Sequence, residues 1–188
     1  MRRFLILLTK QNTMHETIAP HWDKLSRLRN EWIAQLEILP QEIRSARPSG
    51  GWNILQVLEH VIISETGTLG YMKKKTAAPW SEIPQANDDH SAKATQLNEA
   101  LKSEKRWKAP DVLPEPSGSQ SLDNMVNYWD GLRAEYQAFL SDLDPAYYDR
   151  TIFRHPFSGP LDLYQTLDFL GNHILHHQYQ VERIKTML

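Results

Sequence analysis

The chain has 188 residues, 40% of them hydrophobic, which suits one compact domain with a core of its own. Its 21 basic and 23 acidic residues leave a net charge of -2, so no basic excess invites nucleic acid or an anionic membrane. The absence of cysteine removes disulfides, thiolate metal ligands and a cysteine nucleophile together; any transition-metal site must be built from histidine and carboxylate.

The N-terminus opens with a short apolar run, Phe4-Leu5-Ile6-Leu7-Leu8, after Arg2-Arg3. It is shorter than the ~7–15 residues of a secretory core, and no small-residue cleavage site follows it. Nowhere does the chain approach the ~20 apolar residues of a membrane span. Residues 1–14 therefore read as an extension, expected to be disordered, with Met14 a candidate start. The single domain then covers 15–188. These features predict a soluble cytoplasmic protein whose partner is a small-molecule substrate.

Over residues 21–39, Trp22, Leu25, Leu28, Trp32, Leu36 and Leu39 recur at threes and fours, predicting a first amphipathic helix. Pro40 ends or kinks it. Residues 41–46 fit one further turn before the loop Arg47-Pro48-Ser49-Gly50-Gly51. A second helix is predicted over 52–75, almost apolar all round between Ile54 and Ile63, as for a helix with neighbours on several sides. Lys73, Lys74 and Lys75 complement the negative end of its dipole.

Prolines divide the segment 76–119, where a short helix is predicted over 91–107. A connection this long is uncommon unless it covers something. It reads either as a lid or as a crossover between two parallel helices. A third helix is predicted over 121–144, with Leu122, Met125, Val126, Trp129, Leu132, Tyr136, Phe139, Leu140 and Leu143 inward; Pro145 stops it. Residues 147–160 read as a loop. A last helix follows over 162–187, with the seam Leu163, Leu167, Leu170, Ile174, His177, Val181, Ile184 and Leu188. Four long helices without alternating strands or a phosphate-binding glycine loop predict an all-α four-helix bundle with a long crossover between helices two and three.

Three of the eight histidines fall within Gly171-Asn172-His173-Ile174-Leu175-His176-His177. His173 and His177, four apart, share a helix face, the spacing with which a helix offers two imidazoles to one metal ion. On a wheel drawn at about 100° per residue, His177 lies roughly 30° from the seam's centre, His173 about 70° and His176 about 130°, mostly outward. Imidazoles against leucines are costly unless hydrogen-bonded or metal-bound, so the pair reads either as ligands or as a satisfied core histidine beside a boundary one. The pattern lacks the glutamate of the zincin motif. A third ligand must come from elsewhere. His60 is the candidate, beside Val57, Val61 and Ser64 on its wheel, where a cavity-facing ligand and a surface histidine both fit. His15, His21, His90 and His155 are expected to be exposed, although His155 belongs to a loop that could approach the site. Trp22, Trp32, Trp52 and Trp129 are expected in the core, and Trp80 and Trp107 are the candidate aromatic contacts for a ligand.

Trp52-x7-His60-Val61 with Glu65 downstream, followed by His173-x3-His177-x2-Gln180, resembles the DinB/YfiT-like superfamily of metal-dependent enzymes. Arg47-Pro48, Lys108-Ala109-Pro110 and His155-Pro156-x2-Gly159 extend the resemblance over most of the chain from about Met14. It implies a four-helix bundle, often dimeric, in which His60, His173 and His177 hold nickel, zinc or a similar divalent ion. Characterised relatives transfer thiol cofactors such as bacillithiol, or isomerise maleylpyruvate with mycothiol. By resemblance the chain is a metal-dependent enzyme, a thiol-dependent S-transferase using a low-molecular-weight thiol, or else a hydrolase. No catalytic residue is assigned; Glu65, within two turns of His60, is the candidate supporting group. The competing reading is a non-catalytic helical module for ligand binding or association, which requires His60 to lie far from His173.

Overall fold

The computed structural model describes residues 13–103 and 113–188. The apolar run at 4–8, Trp107 and the tripeptide Lys108-Ala109-Pro110 lie outside the described residues. The described elements are α1 (Ala19–Glu37), α2 (Gln41–Ser45), α3 (Ile54–Lys75), α4 (Asp88–Lys102), α5 (Leu122–Asp142), β1 (Phe153–His155), β2 (Gly159–Leu161) and α6 (Leu163–Thr186). The four long helices α1, α3, α5 and α6 form the bundle expected from sequence. Among the described residues no helix is long and apolar enough to cross a membrane.

Thr66 meets Tyr128 and Lys73 meets Glu135, one contact two turns after the other on both helices, so α3 and α5 run in the same direction. Thr17 with Tyr164 and His21 with Asp168 give the same sense to the start of α1 and α6. Parallel neighbours need a crossover, and that is what residues 76–121 provide. The crossover carries α4, which packs along α6 and against β2. This helix starts at Asp88, ahead of the predicted 91. Asn87 accepts a hydrogen bond from the His90 amide while His90 Nδ1 accepts from the Asn87 amide, which closes the first turn.

The chemistry-bearing helices start on equally definite signals. Asn53 Oδ1 accepts from the Gln56 amide at 2.8 Å and Gln56 Oε1 accepts from the Asn53 amide at 3.1 Å, so α3 begins two residues after Trp52. Gln56 Nε2 also donates to the Pro116 carbonyl, tying the returning crossover to the head of α3. Gly118 completes this tie. Its φ is +64°, and a Cβ there would stand 2.6 Å from Gln56 Cγ. Asp162 and Gln165 form the matching box at the head of α6.

Leu163, Leu167, Leu170, Ile174, His177, Val181 and Ile184 are all buried, as the seam predicts; Leu188, beyond the helix end, is exposed. Trp32 and Trp129 meet edge to face in the core with ring centres 6.1 Å apart. The stretch that reads as a loop contains the hairpin β1–β2. Its strands are too short to show an alternating pattern, and Gly159 at φ +81° closes the turn.

Glu65 does not support His60. Five residues along a helix is about 140° around it, so the carboxylate leaves the far side of α3. There, 1% exposed, it accepts from Trp129 Nε1 at 2.7 Å and from Arg133 Nη2 at 2.8 Å, while the Tyr136 hydroxyl donates to its backbone carbonyl. The Arg133 guanidinium is sandwiched against the rings of Trp22 and Trp129. Glu65→Ala strands a buried guanidinium and is expected to cost about 3–5 kcal/mol of stability in urea unfolding while leaving metal content unaltered.

Candidate metal centre

His60 leaves α3 toward α6, where the i, i+4 pair His173 and His177 faces it. The ring centres of His60 lie 5.3 Å from His173 and 4.9 Å from His177, and those of His173 and His177 are 4.5 Å apart. One nitrogen from each ring falls within 4.8 Å of the other two. All three side chains are buried. The surface reading of His60, left open by its wheel, does not hold.

The nitrogens can be followed one by one. His177 Nδ1 donates to Gln180 Oε1 at 2.7 Å, which places the proton on Nδ1 and leaves a lone pair on Nε2. That Nε2 lies 3.0 Å from His173 Nε2. Two nitrogens bound tetrahedrally to one zinc at about 2.0–2.1 Å stand roughly 3.3 Å apart, so the observed spacing is close to that of a shared ion. His173 Nδ1 and His60 Nδ1 are buried and have no hydrogen-bond partner among the described residues. Burial, which disfavours the imidazolium, pushes His60 down to about 4, against a small opposing pull from Glu115. Burial first, then the neighbouring imidazoles, holds His173 and His177 well below the usual histidine range. All three rings are therefore neutral near pH 7, the form that ligates. The donor set fits a divalent ion of the zinc or nickel type.

The cluster sits in an open cleft of about 1360 Å³. Trp52 is half-buried and forms a wall of this cleft, which corrects its expected place in the core. Its ring lies 5.0 Å from that of His60, and its Nε1 donates to Glu115 Oε1. Phe169 stacks on His173 with ring centres 5.4 Å apart. Trp22, Trp32 and Trp129 are buried as expected.

Two histidines behave differently from their wheel or loop positions. His176 is buried, and its Nδ1 donates to the Leu101 carbonyl at 2.9 Å. The side of α6 opposite the seam faces α4 rather than water, which a single-helix wheel does not contain. His155 is also buried: on β1 it and Phe153 point inward while Arg154 points out. Its Nδ1 accepts from the amides of Phe157 and Ser158, its ring meets Phe169 edge on, and burial pushes it down to about 4. Sequence carried one signal for it, the alternation of a three-residue strand, too short to read. His15 is exposed, His21 half-buried against Asp168, and His90 half-buried at the head of α4. Trp80 lies outside the cleft, with the Arg150 guanidinium over its ring.

A helical bundle with three neutral imidazoles converging in an open cleft defines a candidate divalent-metal site of the three-histidine class. The model of the DinB superfamily matches residues 24–181, and the chain belongs to that superfamily. Among curated proteins it is similar to one from Bacillus mycoides (strain KBAB4), 25% identical over 171 residues that cover 85% of this chain and 86% of the relative. A protein of Oceanobacillus iheyensis is 25% identical over 162 residues, covering 79% and 80%, and one of Bacillus cereus 25% identical over 173 residues, covering 84% and 85%. All three bear the name "Putative metal-dependent hydrolase". No solved structure matches the chain.

The buried neutral rings set an acid limit for the metal-free chain. The unfolded chain takes up the His60 proton near pH 6.5 and the folded chain only near 4, so stability falls as pH drops through that window and levels off below it. The unfolding free energy of stripped protein, from urea titrations, is expected to drop between pH 6.5 and 4 by about 3 kcal/mol from His60 alone. A His60→Gln variant is expected to lose part of that slope.

Proposed function

We propose that the chain is a metal-dependent enzyme whose His60, His173 and His177 hold one divalent ion, nickel or zinc, on the wall of a substrate cleft. The observation that carries this reading is the meeting of three neutral imidazole nitrogens, two of them 3.0 Å apart, beside buried Nδ1 atoms with no hydrogen-bond partner among the described residues. Three nitrogens leave coordination positions free, the arrangement of catalytic rather than structural sites. When bound, the ion supplies Lewis acidity there, lowering the pKa of a water or thiol enough to ionise it near neutral pH.

The protein's own groups do the rest. Gln180 fixes the tautomer and orientation of His177. Trp52 and Phe169 shield the flanks of His60 and His173 from water, which strengthens every electrostatic contact within. The cleft beyond, lined by Leu97, Leu101 and Phe153, receives the apolar part of a substrate.

The names of the three relatives support hydrolysis, with water as the nucleophile. A second reading, S-transfer from a low-molecular-weight thiol, is favoured by a separate observation. The ring cluster contains only histidines among the described residues, Glu65 is committed to Arg133, and the cleft's carboxylate, Glu115, accepts from the Trp52 indole, so no carboxylate joins the ring cluster itself. A thiol, ionised more easily than water, has less need of one.

Metal analysis is expected to find about one divalent ion per chain after reconstitution. His173→Ala and His177→Ala are expected to abolish retention while the helical circular dichroism persists. A chain that takes up no ion yet folds normally overturns the proposal. Turnover of ester substrates by the loaded protein, against conjugation of electrophiles with a panel of thiols, separates the two nucleophiles.

A further inference from the structure

Among the described residues the cleft is lined by more positive than negative charge: Arg154 and Arg183 stand against Glu115, while Lys93 is paired with Asp89. Arg183 lines it from α6, two turns beyond His176 and half-buried. Arg29 pairs with Asp130, Arg133 with Glu65 and Arg150 with Asp149, whereas Arg44, half-buried on α2 away from the cleft, has no ion pair among the described residues. Arg183 has no such ion pair among the described residues. It nevertheless shares one cleft with His176 and His177. Arg154, exposed on the hairpin, likewise borders the cleft with no carboxylate partner among those residues. The carboxylate on the wall, Glu115, accepts from the neutral Trp52 indole and keeps its charge near His60.

One further donor belongs to the same wall. Because His155 Nδ1 accepts from two backbone amides, its proton resides on Nε2, which makes no hydrogen bond among the described residues. The same cleft is lined by apolar surface: Leu97, Leu101, Phe153, Phe169 and Met187. A half-buried guanidinium lining an open cleft, with no ion pair among the described residues, has donors left for an arriving anion.

We propose that the cleft selects an amphipathic anion: an apolar or aromatic body bearing one carboxylate or phosphate, with Arg183 pairing to the anionic group. The inference rests on the reading of this cleft as the substrate site and names the class of substrate it takes. Arg183 acts in binding and specificity. A guanidinium receives either oxyanion through two parallel N–H donors, which lysine at the same place would not reproduce in full.

The test uses the full-length chain stripped of metal, so that ligation of a carboxylate to the ion cannot account for binding. Calorimetric titrations compare 4-phenylbutyrate and phenyl phosphate with the neutral 4-phenylbutyramide. At least one anion is expected to bind about tenfold or more tightly than the amide, and which of the two leads identifies the group. Arg183→Gln is expected to erase that preference while leaving amide binding unchanged, and Arg183→Lys to restore part of it. In the unaltered protein the preference is expected to shrink with added salt, a readout that needs no variant. Equal affinity for anion and amide, failure of both anions to bind, or an undiminished preference in folded Arg183→Gln overturns the inference. A chain that keeps the preference but retains no metal overturns the metal proposal alone. A chain that holds its ion and ignores the anion's charge overturns this inference alone.

Discussion

The arrangement depends on one contact, the packing of α3 on α6 at the level where His60 meets His173 and His177. Three imidazoles there occupy a volume poor in water, and each is kept neutral by that dryness. Burial has opposite consequences for the fold and for chemistry. It removes hydration from polar nitrogens, which costs stability, and it leaves unprotonated lone pairs aimed at a common point, which is what a cation needs. The three rings come from rigid helices, so the pair on α6 is set by helical repeat and the third ligand by interhelical packing.

The helix α3 separates two tasks on opposite faces. Toward α6 it presents His60; toward α5 it presents Glu65, gripped by Trp129, Arg133 and Tyr136. The second cluster is a buried polar network in which both Glu65 carboxylate oxygens are satisfied while Arg133 Nε and Nη1 face aromatic rings without a hydrogen-bond partner among the described residues. Its effect on the first is indirect but physical. If α3 rotated to relieve the imidazoles, the Glu65 carboxylate would leave its donors.

How much of this can be read in the chain differs residue by residue. The seam of α6 and the pair His173–His177 are properties of one helix, and 3.6-residue periodicity exposes both. His60 is picked out by resemblance as much as by its wheel, because the partner of a lone histidine lies on another helix. His176 reads as outward because its wheel lacks α4, and that helix arrives from 75 residues away in sequence to accept its proton at the Leu101 carbonyl. Glu65 is near His60 in sequence but on the wrong side of the same cylinder. His155 depends on a hairpin too short to leave a pattern, and Trp52 reads as core because large aromatics usually are. The misplaced residues are those whose surroundings are made by the crossover, by the hairpin or by a partner across the bundle.

The crossover then has a defined physical role. It returns along the bundle's outside, lays α4 on the exposed flank of α6, and fastens its end to the head of α3 through Gln56, Pro116 and Gly118. Glu59 holds the same turn, accepting from the Gly118 amide and the Ser117 hydroxyl. Without this cover, His176 and one side of the cleft would face water, and the dielectric around His177 would rise. A bundle of four helices alone would make a seam. The fifth, laid across it, makes a pocket with a floor of imidazoles, aromatic sides and guanidinium groups on its walls. On the proposed reading, substrate choice lies mainly in α4, the hairpin and the last turns of α6, and the ligand set in α3 and the middle of α6.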